Sequence, residues 1–316
     1  MKILISGANG DIAISIYKII KKNFTKKTKV DGTDINKEGK GIFYFDRVFE
    51  LPKASNKSFL SKSLLIYKKY DLIIPTTENE IRVISKNRPY YKNIKFLIND
   101  EKIINLFLDK LKTYNYLKIN KIGELDFCKT LKKNPITKFP VFLKTKIGSG
   151  NKNYFIVKSK KQFQKLDIKN KNNYLYQEYI DVKKEYTACI YRNNNFENII
   201  IFERILDKDV TFFAKTINNK KMENTLKILA NKLDLRGSIN VQFKVIKNKI
   251  KIFEINPRLS STVLMRDITG FKDCYWWIND FLKLKYNQKK YVFKKTLKII
   301  RDEKKVQKNQ FIQMIM

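Results

Sequence analysis

Ile3-Leu4-Ile5 is a short apolar run that stops at Gly7-Ala8-Asn9-Gly10-Asp11, and an apolar pattern of helical period follows from Ile12 to Ile20. A strand, a glycine turn and a helix in that order narrow the fold sharply, because the helix must return over the sheet the strand belongs to. The alternation continues with a strand near Lys29–Gly32, a helix near Phe59–Lys69, a strand over Asp71–Pro75, a helix starting near Glu78 and a strand over Ile94–Ile98. Strands joined through helices pair in parallel, so the first hundred residues predict a parallel sheet with helices on both faces.

This N-terminal part reads as a Rossmann-like α/β layer. Gly7 and Gly10 do not complete a dinucleotide fingerprint, because Ile12 stands where a further glycine is needed. The turn is expected to be a tight strand-to-helix connection, with ligand contact through free amides as the alternative.

From about residue 100 the texture changes. A helical stretch covers Glu101 to about Lys118, and strand-like runs follow at Phe139–Lys144, Tyr154–Val157, Tyr174–Tyr179 and Glu185–Tyr191. A helix is expected over Met222–Leu233, then strands at Ser238–Val245 and Ile250–Ile255 joined by Lys247-Asn248-Lys249. This half reads as α+β with antiparallel sheets. Tyr291-Val292-Phe293 and Leu297–Ile300 suggest a closing hairpin in the lysine-rich end, with a basic membrane-surface segment as the alternative. Trp276-Trp277 reads as core packing.

Composition removes whole classes of chemistry. The 316 residues contain no histidine, which excludes a Ser-His-Asp triad, a Cys-His dyad and His-ligated zinc. With 43% hydrophobic residues the chain can bury a core, and its length suits two or three domains. Cys128, Cys189 and Cys274 form no CxxC pattern, which points to a reduced, cytoplasmic protein. The net charge is +37, yet only nine of the 67 basic residues are arginine and they mark no single face, so a nucleic-acid binder is a secondary reading. No apolar run approaches the roughly eighteen residues of a membrane-spanning helix, and the N-terminus lacks the pattern of a signal peptide.

The chemistry concentrates in Gly237-Ser238-Ile239-Asn240-Val241-Gln242-Phe243 and Phe253-Glu254-Ile255-Asn256-Pro257-Arg258-Leu259-Ser260-Ser261. Strand alternation puts Asn240 with Gln242, and Glu254 with Asn256, on one face each. If the two strands pair, Gln242, Glu254 and Asn256 converge as hard oxygen donors of the kind Mg²⁺ takes, with water and phosphate completing the shell. Arg258 follows at once and can fork onto a phosphoryl group. Upstream, Val141–Lys144 is a strand ending in a cation, and Gly148-Ser149-Gly150 can lay backbone amides over phosphates. Tyr176–Ile180 offers backbone groups to an adenine edge, and Glu185 a carboxylate to ribose hydroxyls. Taken singly, each has a plainer reading: Lys144 as a surface lysine, Glu178 and Glu185 as solvated strand residues, Glu254–Arg258 as a strand end with a proline stop.

In this order the motifs resemble the ATP-grasp superfamily, and within it the branch of the carbamoyl-phosphate synthetase large subunit, over about residues 1–282. Asp71–Thr76 and Asp109-Lys110 are weaker points of similarity. The resemblance implies a pre-ATP-grasp layer over 1–99, an ATP-grasp domain over 100–282 with a lid near 135–178, and a basic C-terminal segment over 283–316. It implies that Lys110 and Lys144 contact ATP phosphates, that Gly148, Ser149 and Gly150 close over them, and that Glu178 with the backbone of Tyr179 and Ile180 holds adenine. Glu185 would hold ribose, Gln242, Glu254 and Asn256 would bind Mg²⁺ (Mn²⁺ as the substitute), Arg258 would steady the transferring phosphoryl group, and Thr76, Ser260 and Ser261 would face the second substrate. The implied activity is an ATP-dependent carboxylate–amine or carboxylate–thiol ligase working through an acyl phosphate, with a non-catalytic ATP-binding module as the alternative. Its partners would be a small carboxylate and a nucleophile, in a homodimer. The glycine loop is shorter than in the best-known members, which bears on how it closes as a lid; only one unit is present, so carbamoyl phosphate synthesis is not implied.

Overall fold

The computed structural model describes residues 1–148, 154–168, 170–207, 210–287 and 290–301. The first layer is built from β1 (Lys2–Ser6), α1 (Asp11–Asn23), β2 (Lys29–Asp34), β3 (Val48–Glu50), α2 (Phe59–Tyr67), β4 (Leu72–Ile74) and α3 (Glu78–Lys86). Its sheet has the order β3-β2-β1-β4, and every pairing in it is parallel. Alternate residues of β1 feed two cores: Ile3 and Ile5 pack with α1, while Leu4 packs with Phe59, Tyr67, Ile81 and Ile84 of α2 and α3. Helices therefore cover both faces, as the alternation predicted. The expected strand over Ile94–Ile98 is reduced to a bridge between Ile73 and Phe96.

The helical stretch after residue 100 is two helices, α4 (Glu101–Phe107) and α5 (Lys110–Ile119). Asp109 causes the break: its carboxylate caps α5 by accepting from the amides of Leu111 and Lys112 at 2.9 and 3.1 Å. A four-stranded antiparallel sheet follows, from β5 (Cys128–Thr130), β6 (Val141–Thr145), β7 (Phe155–Val157) and β8 (Tyr174–Glu178), with the short α6 (Lys160–Gln164) beside it.

The third sheet has six strands in the order β13-β12-β9-β10-β11-β14, all antiparallel. Its strands are β9 (Glu185–Arg192), β10 (Glu197–Asp207), β11 (Val210–Ile217), β12 (Gly237–Ile246), β13 (Lys249–Asn256) and β14 (Lys298–Ile300). Helix α7 (Lys220–Leu233) covers one face through Leu226, Leu229 and Ala230. The other face shares a core with the first layer, where α1 meets α8 (Val263–Ile268) and α9 (Asp273–Leu282). Trp276 and Trp277 lie buried in that shared core.

Two expectations need correction. β10 and β11 were absent from the sequence reading, although Asn198–Phe202 is an apolar run of strand length. The C-terminal hairpin does not form among the described residues. Lys298–Ile300 pairs instead with Lys215–Phe213 of β11, and Tyr291–Phe293 has no strand partner, its Tyr291 amide being taken by the Asn198 side chain. The edge of β11 offers a longer open ladder than three residues of the same short segment.

Candidate active site

A cavity of about 440 Å³ lies between the four-stranded and six-stranded sheets and reaches Ile12 at the start of α1. Lys110, Lys144, Gly148, Glu178, Tyr179, Ile180 and Glu185 line it, and so do Gln242, Glu254, Asn256, Arg258, Ser260 and Ser261. Ser149 and Gly150 lie outside the described residues. Thr76 is not among the lining residues. It is buried, and its hydroxyl donates to Ser6 O at 2.7 Å, tying β4 to β1. The Gly7 turn beneath it is closed: Gly10 N donates to Gly7 O, Ala8 N to Thr33 O and Asn9 N to Asp34 Oδ2. Those amides are spent on the turn, and a Cβ at Gly7, where φ is +64°, would meet Thr76 Oγ1 at 2.7 Å.

The β12–β13 hairpin sets the oxygen donors. Its register places Asn240 opposite Asn256 and Gln242 opposite Glu254. The amide orientation of Asn256 that satisfies its neighbours donates to Glu78 Oε1 at 2.8 Å and Glu254 Oε1 at 3.3 Å, and accepts from Gln242 Nε2 at 3.1 Å. Glu78, from the first turn of α3, thus joins the cluster from the other layer. The two carboxylates are hard donors that fit Mg²⁺, while the amide oxygens of Asn256 and Gln242 accept from Gln242 Nε2 and Arg204 Nη2 and would have to turn to join them. No group of three or more His, Cys, Asp or Glu suited to a metal exists among the described residues, so a cation here would draw on the amides and on ligand oxygens.

The cations stand around this cluster. Lys144 is buried, and its Nζ donates to Phe253 O at 3.1 Å. Burial, helped by the charge of Lys110 and opposed by Glu254, brings its pKa down to about 8. Lys110, the first residue of α5, donates to Gly148 O at 2.6 Å and so anchors the start of the glycine loop. Arg258 donates through Nη2 to Glu78 Oε1 at 3.0 Å and through Nη1 to Leu259 O at 3.1 Å, while its buried Nε has no partner among the described residues.

Three other side chains are held differently from expectation. Glu178 is turned to the amide of Asp126 and to Lys251 Nζ at 3.5 Å, and burial raises its pKa. Its carboxylate is therefore engaged at the edge of the cavity, while Ile180 O accepts from Lys244 Nζ at 3.2 Å. Glu185 pairs with Arg204 of β10, whose Nε lies 3.0 Å from Glu185 Oε1. Ser260 donates to Asn240 Oδ1 at 3.0 Å and accepts from Arg266 Nη1 at 2.8 Å, whereas Ser261 is partly exposed.

Glu78, Arg204 and Lys244 escaped the sequence reading. Glu78 read as the start of a helix, and Arg204 sits on a strand that was not foreseen. Lys244 was one lysine among many.

Comparison with known proteins supports the same architecture. A family model described as "ATP-grasp in the biosynthetic pathway with Ter operon" matches residues 171–305. The uncharacterized protein MG011 of Mycoplasma genitalium is 26% identical over 163 residues, which is 48% of this chain and 56% of that protein. The chain thus spans little more than half the length of this curated relative. The structure of N5-carboxyaminoimidazole synthetase from Staphylococcus aureus, solved with ADP, superposes with a TM-score of 0.71 at 16% identity, covering 90% of this chain and 78% of that one. The biotin carboxylase domain of 2-oxoglutarate carboxylase from Hydrogenobacter thermophilus, solved with MgADP, ADP and bicarbonate, gives 0.69 at 15% identity, covering 92% and 71%. No helix among the described residues is long and apolar enough to cross a membrane. The parallel α/β layer, the two facing antiparallel sheets and the cleft between them give the chain the fold of these solved structures, and residues 171–305 are similar to an ATP-grasp family.

Proposed function

We propose that the protein is an ATP- and Mg²⁺-dependent ligase that activates a carboxylate as an acyl phosphate and passes the acyl group to an amine or other nucleophile. The observation that carries this reading is the single cavity in which Gln242, Glu254 and Asn256 face Lys110, Lys144 and Arg258. In this reading residues 1–99 and 100–282 are the two domains, and the sheet over Cys128–Glu178 with the Gly148 loop covers the triphosphate.

Phosphoryl transfer asks a protein for positioning and charge compensation. Lys110 and Lys144 would neutralise the nucleotide phosphates, and the Gly148 loop would exclude water from them. Bound Mg²⁺, held by Glu254, Asn256 and Gln242, would offset the charge on the phosphate oxygens. Arg258 would steady the γ-phosphoryl group, and its unpartnered Nε is a donor that an anion's oxygen would satisfy. The carboxylate substrate would enter from the side of Arg258, Ser260 and Ser261, attack the γ-phosphorus and leave ADP; the nucleophile then displaces phosphate. None of these roles needs histidine. The relatives solved with ADP and MgADP support the choice of nucleotide. The residue chemistry is also consistent with a cytoplasmic enzyme.

The test is a screen of small carboxylates with ATP, Mg²⁺ and hydroxylamine, which traps an acyl phosphate as its hydroxamate. One carboxylate should yield ATP-dependent hydroxamate, and Arg258→Ala should lower the rate on the order of 10²–10³. A wild-type protein that binds no MgADP in calorimetry would remove the reading.

A further inference from the structure

We infer that Arg204 is a positioning and specificity-determining residue, which fixes the carboxylate of Glu185 against Gln242 of the neighbouring strand and so makes recognition of a ribonucleotide depend on it. The inference rests on the nucleotide-binding reading above and concerns a residue that reading does not use.

The geometry is specific. Arg204 stands directly opposite Glu185 across the β9–β10 ladder, and Gln242 stands opposite Thr187 across the β9–β12 ladder. Glu185 and Thr187 are two apart on β9 and share its cavity face. The guanidinium therefore reaches diagonally across β9. Its Nε and Nη2 both go to Glu185 Oε1, and Nη2 also donates to Gln242 Oε1 at 2.8 Å. Nη1 lies 3.4 Å from the hydroxyl of Thr211, which is fully buried on β11. One side chain thus joins four strands, and with 8% of it exposed it has little room to swing away.

The chemistry follows from those contacts. Both Arg204 nitrogens use one oxygen of Glu185, and a carboxylate has a second oxygen to accept from hydroxyl donors. Arg204 also fixes Glu185 in direction, which is what selection for a vicinal diol requires. On the other side it takes Gln242 Oε1, which leaves Gln242 Nε2 donating to Asn256 and braces the guanidinium between two strands. Residue choice points the same way. In a chain where nine of 67 basic residues are arginine, three of those nine, Arg204, Arg258 and Arg266, hold carboxylates in or under the cleft. A lysine at 204 would bring charge without the fork that spans two partners.

The test is calorimetric titration of the full chain with ADP and with 2′-deoxy-ADP in Mg²⁺, for wild type, Arg204→Met and Arg204→Lys. Wild type should prefer ADP over the deoxy form by about tenfold or more, the scale of one charged hydrogen bond. Arg204→Met should bring that ratio near one. Arg204→Lys should fall between the two, and carries the test if the Met variant does not fold. Thermal melts of each variant separate a purely structural role, which lowers the melting point and leaves the ADP preference of the folded protein intact. A variant that keeps the ribose preference of wild type overturns the inference. A wild type that binds neither nucleotide sinks the nucleotide reading with it, so the two failures are distinct.

Discussion

Arg258 and Glu78 are 180 positions apart in the chain and form an ion pair at 3.0 Å between the tip of β13 and the first turn of α3. The pair is mostly buried, with 14% and 8% of the side chains exposed. Removing one partner of such a pair leaves a desolvated charge, which is costlier than removing both. Glu78→Ala is therefore expected to destabilise the protein by about 3 kcal/mol, and Glu78→Ala with Arg258→Met to recover part of that loss. Denaturant melts of the two single variants and the double variant measure it. Additive losses would show that the two side chains do not act as a pair.

Lys144 gives the cleft a pH dependence whose sign can be worked out. Burial lowers its pKa to about 8 from the usual 10.5, so between those values the unfolded chain binds more protons than the folded one. Its contribution to stability therefore rises with pH across that window. Nucleotide binding runs the other way, because phosphates favour the charged ammonium and raise its pKa. MgADP affinity should fall above pH 8 by up to about tenfold per unit, with proton uptake on binding near pH 8. Calorimetry in buffers of differing ionisation enthalpy reads both effects. Lys144→Arg should flatten the profile, and an unchanged profile would remove Lys144 from phosphate contact.

How far the sequence could be read depended on whether partners were local. Gln242, Glu254 and Asn256 were legible because two neighbouring strands joined by a short turn have a fixed alternation, and alternation decides which side chains share a face. The closed Gly7 turn followed from its own residues for the same reason. Glu78 and Arg204 were not legible, because each acquires its meaning from a partner supplied by another element, and a single acidic or basic residue carries no pattern of its own. Asp109 was noted, yet its capping of α5 was not foreseen, so one helix was expected where there are two. Thr76 was expected at the second substrate only through the resemblance of its strand end to the family's. A turn that needs its hydroxyl for Ser6 O had the prior claim.

The three cysteines should be inert in the native state. All are free and buried, and burial pushes Cys128 up to about 12 and raises Cys189 and Cys274 as well. At pH 8 a thiol reagent should label essentially none of them within minutes, and all three in denaturant. Fast labelling of Cys128 would instead mean that the sheet around β5 opens readily, and Lys144, which contributes to its electrostatic surroundings, would then be more exposed than its burial implies.

Beneath the cleft, Arg266 and Asp273 form a two-pronged pair, each with 1% of its side chain exposed, through Nε to Oδ1 at 3.0 Å and Nη2 to Oδ2 at 2.8 Å. Arg266 Nη1 also donates to Ser260 at 2.8 Å and to Thr262 at 2.7 Å, so the pair sets the hydroxyl that reaches Asn240 at the cavity floor. Asp273→Ala would strand the guanidinium in the core and should cost about 3–5 kcal/mol. For a chain of this size each kcal/mol moves the melting point by roughly 1.5 °C, so a fall of about 5–8 °C is expected. Replacing both residues, Arg266→Met with Asp273→Leu, should restore most of the stability, because apolar side chains of similar size fill the site without the desolvation cost. It should not restore substrate turnover, since Ser260 would still lack its donor. Melting curves and hydroxamate rates on the same three variants separate the two effects, and a double variant with full activity would show that Ser260 needs no support from below.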